Sequence, residues 1–313
     1  MSRIRDLIQE IVEIRQRQVS GSAMGELWQR FLTLEHAFEK HDKSEEETIR
    51  YFPVALVACI EGYCRMAIKE LIDAGEPYLA NAEKLLSSSK SDFSVLRAVY
   101  GKKITVGEFV AHSVRLSSLE HLETAFSSLI GTGFLQALRA ATDRWAHEVE
   151  GKPTAPILPK PDEVFASVAR TFELRHIICH EIASAYAIES EEVARCFMDC
   201  EAFLRAANEF ITETLYPGVP LTQTEMNAAA WQSLEERREL LRDSVAKLRS
   251  RLDTAECTVF DDAQEKWQAY CDAWATFVAE EFDGGSIWPV IYAGAAEALV
   301  RQRIEEVGAY KRI

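Results

Sequence analysis

Apolar residues recur every three or four positions along most of this chain, which is the spacing that places side chains on one face of an α-helix. The pattern begins with Ile4, Leu7 and Ile11 and returns at Leu27 and Phe31. Beyond residue 217 nothing indicates the alternation of apolar and polar residues that is typical of a β-strand. The pattern therefore predicts an all-α protein.

Several helix boundaries are marked by residues that cap helices. A serine or threonine followed three residues later by a glutamate favours a capping box. Three such pairs occur: Ser44 with Glu47, Thr105 with Glu108, and Thr222 with Glu225. We also predict one helix over 134–150 with Trp145 facing inward, and another that starts near Pro161 after a proline-rich loop.

The segment Tyr216-Pro217-Gly218-Val219-Pro220 is the clearest boundary in the chain, because proline and glycine interrupt helices. A length of 313 residues is enough for two ordinary domains. We predict a helical bundle over 1–217 and a C-terminal helical-hairpin domain over 218–313.

The net charge of −15 argues against general coating of nucleic acids, since non-specific affinity comes from phosphate neutralisation by Lys and Arg. The seven cysteines are scattered, which predicts neither a disulfide framework nor a zinc signature. The first residues show no apolar targeting segment, and no stretch reaches the ~20 uncharged apolar residues of a membrane span. These features predict a cytoplasmic protein without membrane contact.

Candidate chemistry is concentrated between Phe172 and Ile182. Arg175 keeps its charge, while the imidazoles of His176 and His180 can exchange protons near neutral pH. On a helix, the two histidines share one face, but Arg175 and His180 are about 140° apart. They meet only if the arginine side chain wraps round, if the helix begins or distorts there, or if a second copy of the helix faces the first.

The spacing of Arg175 and His180, with His176 directly after the arginine, resembles the R-x4-H motif of the HEPN superfamily (higher eukaryotes and prokaryotes nucleotide-binding). The apolar run over 51–65, which contains Glu61, is similar to the long HEPN helix. The resemblance covers roughly residues 25–216. It implies that Arg175 and His180 are catalytic, and His176 and Glu61 are taken as supporting residues.

The same resemblance implies a homodimer that pairs two Arg/His sets in one cleft and cuts RNA without a metal or other cofactor. It suggests a toxin-antitoxin or antiviral system, with an antitoxin or regulatory protein as a further partner. In so acidic a chain, RNA must be bound by a local basic strip. We assign RNA binding to Arg139, Arg144 and Arg170, with Lys102, Lys103, Lys152, Lys160 and Arg195 as further candidates.

The C-terminal part resembles the LprI-like lysozyme-inhibitor domain. The resemblance rests on Thr222-Gln223, Glu225-Met226-Asn227, Asp262-Ala263-Gln264, Trp267, Tyr270, Gly284-Gly285-Ser286, Tyr292 and Leu299 with Arg301-Gln302-Arg303. Members of this family are usually exported and disulfide-bonded, whereas Ala229, Ala275 and Ala295 stand where family cysteines are expected. This departure fits a cytoplasmic copy that serves as an interaction or regulatory module.

Other interpretations of the same residues remain. Arg175, His176 and His180 can serve structure through ion pairs and helix-end hydrogen bonds, and the two histidines with Cys179 can bind a metal. The six tryptophans lie at helical spacings typical of packing residues. The whole protein can also be a non-catalytic binding protein, or an inhibitor whose acidic surface docks on a basic enzyme.

Overall fold

The chain divides into two compact units, Met1–Pro217 and Gly218–Ile313, which we call the N-terminal and C-terminal units. The structure, a computed structural model, describes residues 3–18, 23–86, 93–181 and 185–310, so Ile182 of the candidate stretch lies outside the described residues. Within these ranges the chain is helical, and β-pairing is limited to one bridge between Thr142 and Pro156. The all-α prediction is confirmed.

The N-terminal unit is built from ten helices of very different length within its described residues. They are α1 (Arg3–Gln16), α2 (Ala23–Lys40), α3 (Glu46–Asp73), α4 (Tyr78–Asn81), α5 (Phe93–Tyr100), α6 (Val106–Ser113), α7 (Leu119–Ile130), α8 (Phe134–Leu138), α9 (Pro161–His180) and α10 (Ser190–Leu215). A 3₁₀ turn over Ala82–Leu85 and a π turn over Trp145–Val149 complete it.

Helix α3 is the centre of this unit. It packs against α2, α6, α9 and α10, and half of its 28 residues are buried. Leu56, Ile60, Ile68 and Leu71 have no solvent exposure. A helix surrounded by others on most sides must be apolar on most sides, which explains why its sequence is a nearly continuous apolar run.

The composition of α3 has a second consequence. By length and mean hydropathy, 1.3 over 18 residues, it is the one helix of the described ranges that qualifies as a membrane span. In the N-terminal unit, however, 61% of that window is buried against protein. A buried core helix meets the same criteria, so this feature is accounted for by the position of α3 in the core.

The C-terminal unit contains α11 (Gln223–Arg249), α12 (Thr254–Ala279) and α13 (Trp288–Ala309), with a 3₁₀ turn over Glu280–Phe282. Helix α13 packs against both α11 and α12, so the unit is a three-helix arrangement. Its core is formed largely by small residues, among them Ala275, Ala293 and Ala296, none of which is exposed to solvent. Small side chains allow close approach of the helices, and each removes little apolar surface from water.

The predicted caps are formed at two of three places. Thr105 and Thr222 each accept a hydrogen bond from the backbone N–H three residues on. The side chain of the glutamate at that position accepts a hydrogen bond from the backbone N–H of the threonine, which completes the capping box. The prediction for Ser44 is wrong. Its N–H and hydroxyl donate to Asp42 instead, and α3 starts only at Glu46.

The prediction of one helix over 134–150 is also wrong. Helix α8 ends at Leu138, and the chain next makes the bridge from Thr142 to Pro156. The carboxylate of Asp143 then accepts the N–H of Ala146 at 2.9 Å, at the start of the π turn. Trp145, expected to face inward, is exposed.

The start of α12 offers a stability test. Asp253 accepts from the N–H groups of Ala255 and Glu256, and Glu256 accepts from the N–H of Asp253. Because Asp253→Ala leaves these donors without a side-chain acceptor, we expect it to lower the free energy of unfolding of the C-terminal unit by about 1 kcal/mol. Asp253→Asn keeps an acceptor and is the control. Chemical denaturation of the full chain compares the variants, and equal stability of both would contradict the capping role.

Candidate functional site

Helix α9 presents the candidate Arg/His residues at its C-terminal end. Pro161 lies at its first turn, where a missing N–H costs no hydrogen bond, and Asp162 and Glu163 follow as favourable acidic residues. The predicted buried face is observed at Val164, Phe165, Val168, Phe172 and Leu174. Packing of this face fixes the rotation of α9 and leaves His176 and His180 exposed.

Arg175 and His180 are in contact within one chain. Nη1 of Arg175 lies 3.3 Å from Nε2 of His180; Arg175 is half-buried and His180 is exposed. Since a guanidinium has only donors, this hydrogen bond requires an unprotonated Nε2 on His180. The helix ends at His180, and the arginine side chain spans the angle between the two positions, which was the first of the three expected routes. The pair thus combines a fixed cation with a proton acceptor.

The supporting residues are placed differently. The ring of His176 lies 5.1 Å from that of His180, centroid to centroid, at an interplanar angle of 48°. Glu61 lies on α3, which packs against α9, but no hydrogen bond or ion pair joins it to the Arg/His residues in the described ranges. The contact geometry therefore groups His176 with the pair and leaves Glu61 apart.

Arg170, one of the three predicted RNA-binding residues, is held by other side chains. It donates to Glu192 at 2.8 Å, to Glu173 at 2.7 Å and to the hydroxyl of Tyr186. The hydrogen bonds to Glu192 and Glu173 raise the pKa of Arg170 above its usual range. Arg50 donates to the carbonyl of Tyr186 at 3.0 Å. Arg170 and Arg50 thus both bind Tyr186.

Arg139 and Arg144 are also paired with carboxylates. Arg139 binds Asp162, which raises the pKa of Arg139, and Arg144 donates to Glu148 at 2.7 Å and to Glu213 at 3.1 Å. RNA phosphates would have to compete with these acidic partners. The assignment of RNA binding to Arg139, Arg144 and Arg170 stays a prediction.

Metal binding at the C-terminal end of α9 would require a cluster of ligating side chains. In the described parts of the chain, no group of three or more His, Cys, Asp or Glu side chains is arranged to hold a metal. Cys179 is exposed and is not bonded to another cysteine.

The C-terminal unit carries a second candidate surface on α12. Tyr270, Trp274 and Phe277 are spaced i, i+4 and i+7, so they share a face. Their rings contact one another, with centroids 6.4 Å apart for Tyr270 and Trp274 and 5.7 Å apart for Trp274 and Phe277. They are 53%, 43% and 63% exposed. We call these three residues the aromatic row.

The aromatic row was not predicted from the sequence, because all six tryptophans were interpreted as packing residues. The positions that do pack are Cys271, Ala275 and Ala279, which are fully buried. The centre of this buried face is rotated by about 130° from that of the aromatic row. A helix whose small residues define the inward face leaves its large aromatic residues outside, and that pattern was present in the sequence.

Comparison with known proteins concerns the C-terminal unit. Residues 220–307 match the family model of the lysozyme inhibitor LprI. The match supports the resemblance predicted for this part of the chain, while the HEPN resemblance of the N-terminal part stays a prediction. No curated protein matches the chain, and no solved structure does. The seven cysteines are free.

Proposed function

We propose that the protein acts by binding another protein through its C-terminal unit, as an interaction or inhibitor module. The aromatic row carries this proposal, because it places three adjacent exposed rings on a unit that is similar to an inhibitor family. Exposed Trp and Tyr residues that stack on one another are typical of the energetically dominant centre of protein interfaces.

The charge of the chain indicates the kind of partner. With a net charge of −15, the protein attracts basic surfaces and repels acidic ones. Such attraction mainly accelerates association and weakens as salt screens it, whereas the aromatic contacts are much less sensitive to salt. We therefore propose a basic protein partner, held by the aromatic row and selected by charge.

Lysozyme is the first partner to test, because the matching family is named as its inhibitor. Biolayer interferometry with this chain immobilised gives the affinity and the rates of binding to lysozyme at low and at physiological salt. We expect Trp274→Ala to weaken binding at least tenfold, mainly through faster dissociation. Tyr100→Ala, which removes a 92% exposed ring from the N-terminal unit, is the matched control. Equal loss in both variants would contradict a role for the aromatic row.

A second candidate function is metal-independent cleavage of RNA, and the contact of Arg175 with His180 favours it. Attack by a 2′-hydroxyl requires a base for its proton, an acid for the leaving oxygen and a cation beside the phosphorus oxygens. The unprotonated Nε2 of His180 is suited to the first role, and the guanidinium of Arg175 to the third. In a homodimer, the second His180 can supply the acid.

This second proposal places the protein in toxin-antitoxin or antiviral defence in the cytoplasm, with RNA as substrate. Its test combines two measurements on the full chain. Light scattering reports whether a homodimer forms, and incubation with RNA in chelator reports whether cleavage proceeds without a metal. A monomer that leaves RNA intact would end the ribonuclease proposal and leave the protein-binding proposal unaffected.

A further inference from the structure

The N-terminal unit contains a half-open cavity of about 950 Å³ that neither proposed function uses. It lies between α1, the face of α3 that carries Gly62, Arg65, Met66 and Lys69, and the segment from the end of α5 through α6. All lining residues belong to the N-terminal unit. The volume falls in the range of small-molecule sites, which are about 300–1,000 Å³.

The charge of the cavity is opposite to that of the chain. Four cationic side chains line it, those of Arg15, Arg65, Lys69 and Lys102. Two carboxylates, those of Glu10 and Glu108, also line it, so the cationic groups outnumber the acidic ones in the lining. In a chain with a net charge of −15, this local excess favours an anionic ligand.

The cationic groups are not equally available. Arg15 donates to the buried Glu108, and Lys69 lies 3.1 Å from Asp73. Arg65 uses Nη1 to donate to the carbonyl of Ala111 at 2.9 Å, which leaves its other N–H groups for a ligand. The side chain of Lys102 has no hydrogen-bond or ion-pair partner in the ranges that the structure describes. Lys102 and Arg65 are thus the groups with free donors.

The remainder of the lining is apolar or neutral. Ile11 and Ile104 are almost fully buried in the wall, and Ile14, Met66 and Val99 extend the apolar surface. His112 also lines the cavity, and burial, reinforced by the nearby charge of Arg65, lowers the pKa of its imidazole. A ligand that fits this lining carries an acidic group and an apolar body.

We propose that this cavity binds a small organic anion, whose phosphate or carboxylate group lies beside Arg65 and Lys102 and whose apolar body contacts the wall formed by α1. The cationic side chains bind the acidic group of the ligand, and the isoleucine side chains exclude water from its apolar part. The site is independent of the aromatic row and of the Arg175–His180 contact. Binding of a ligand in the cavity can therefore be measured separately from protein binding and from RNA cleavage.

Isothermal titration calorimetry of the full chain with three ligands tests both halves of the ligand. Hexyl phosphate has both the acidic group and the apolar chain. Hexanoate carries a carboxylate in place of the phosphate, and hexanol has no charge. We expect one of the two anions to bind at least tenfold more tightly than hexanol. Equal binding of hexanol and both anions, or no binding of any of the three, would overturn the proposal.

Variants of the lining locate the site. Lys102 has a backbone φ of 52°, and glutamine at this position carries the same backbone cost as lysine, so Lys102→Gln removes the charge with little other change. No heavy atom lies within 4 Å of a Cβ built on Gly62, so Gly62→Leu adds volume without a clash at that atom. We expect Lys102→Gln to weaken anion binding about tenfold and Gly62→Leu to weaken it further.

Lys103→Gln is the matched control, because Lys103 is the exposed neighbour in sequence and does not line the cavity. It is expected to bind the anion as the original protein does. Thermal unfolding of each variant without ligand verifies that the fold is kept. Anion binding that persists unchanged in both Lys102→Gln and Gly62→Leu would place the ligand elsewhere and refute this site.

Discussion

Replacing Phe197 with alanine is expected to lower the free energy of unfolding of the N-terminal unit by about 3–5 kcal/mol. Phe197 is 4% exposed and lies where α10 meets α2 and α3. Its ring centroid is 4.9 Å from that of Phe38 and 5.9 Å from those of Phe31 and Phe52. Alanine leaves a cavity and also removes three ring contacts, which contribute about 0.5–1.5 kcal/mol each.

The neighbouring residue on α10 supplies the control. Met198 is 64% exposed, so Met198→Ala removes a side chain of similar length from the surface and is expected to change stability by less than about 0.5 kcal/mol. Denaturant unfolding of the full chain gives the free energies, and hydrogen exchange of amides in α2 and α3 locates the loss. Similar losses in both variants would contradict the central role of the ring cluster.

Local sequence rules predicted those features that depend on neighbours in the chain. The boxes at Thr105 and Thr222 join residues three apart, so their chemistry is complete within one turn. The buried face of α9 follows in the same way from the spacing of Val164, Phe165 and Val168. These interactions can be predicted because they need no partner from elsewhere in the fold.

Predictions failed where distant residues determine the local conformation. The segment after α8 leaves the helix because Thr142 bridges Pro156 and the N–H of Ile157 donates to the carbonyl of Ala141. Asp143 also pairs with Arg205, 62 residues away in sequence. Helical propensity alone cannot anticipate such contacts, because tertiary interactions override it.

The candidate site shows the same division. The spacing of Arg175 and His180 singled them out, but only the structure determines that the arginine reaches the imidazole at the end of α9. Two acidic partners of the predicted RNA-binding arginines are equally non-local, since Asp162 and Glu213 belong to other helices, although Glu148 follows Arg144 by only four residues. A count of the positive charges in a sequence therefore overestimates the number of cationic side chains that are available to phosphate groups.

The two proposed functions use different units, and this separates their tests. Trp274→Ala changes the C-terminal unit alone, so it should leave any RNA cleavage intact. His180→Ala changes the end of α9 in the N-terminal unit, so it should leave the affinity for a protein partner intact. A protein with both functions would show two independent losses, and a protein with one function would show one.

In a preparation that cuts RNA in chelator, His180→Ala is expected to reduce the rate by about 10²–10⁴, because the variant lacks the group that exchanges protons. Arg175→Ala is expected to reduce the rate by about 10²–10³, because the variant lacks the guanidinium that stabilises charge on the phosphorus oxygens. Arg175 is half-buried and His180 is exposed, and neither belongs to the buried core, so neither substitution disturbs the core. Single-turnover cleavage of a labelled RNA measures the rates.

His36→Ala is the matched control, since it removes another solvent-exposed histidine, on α2, whose Nδ1 lies 3.9 Å from Glu39. Full cleavage is expected in this variant. Because the hydrogen bond joins Arg175 and His180, their effects should be non-additive: the double variant should be little slower than His180→Ala. Activity that survives both single substitutions would show that any cleavage comes from other residues. The hydrogen bond between Arg175 and His180 would then have only a structural role at the C-terminal end of α9.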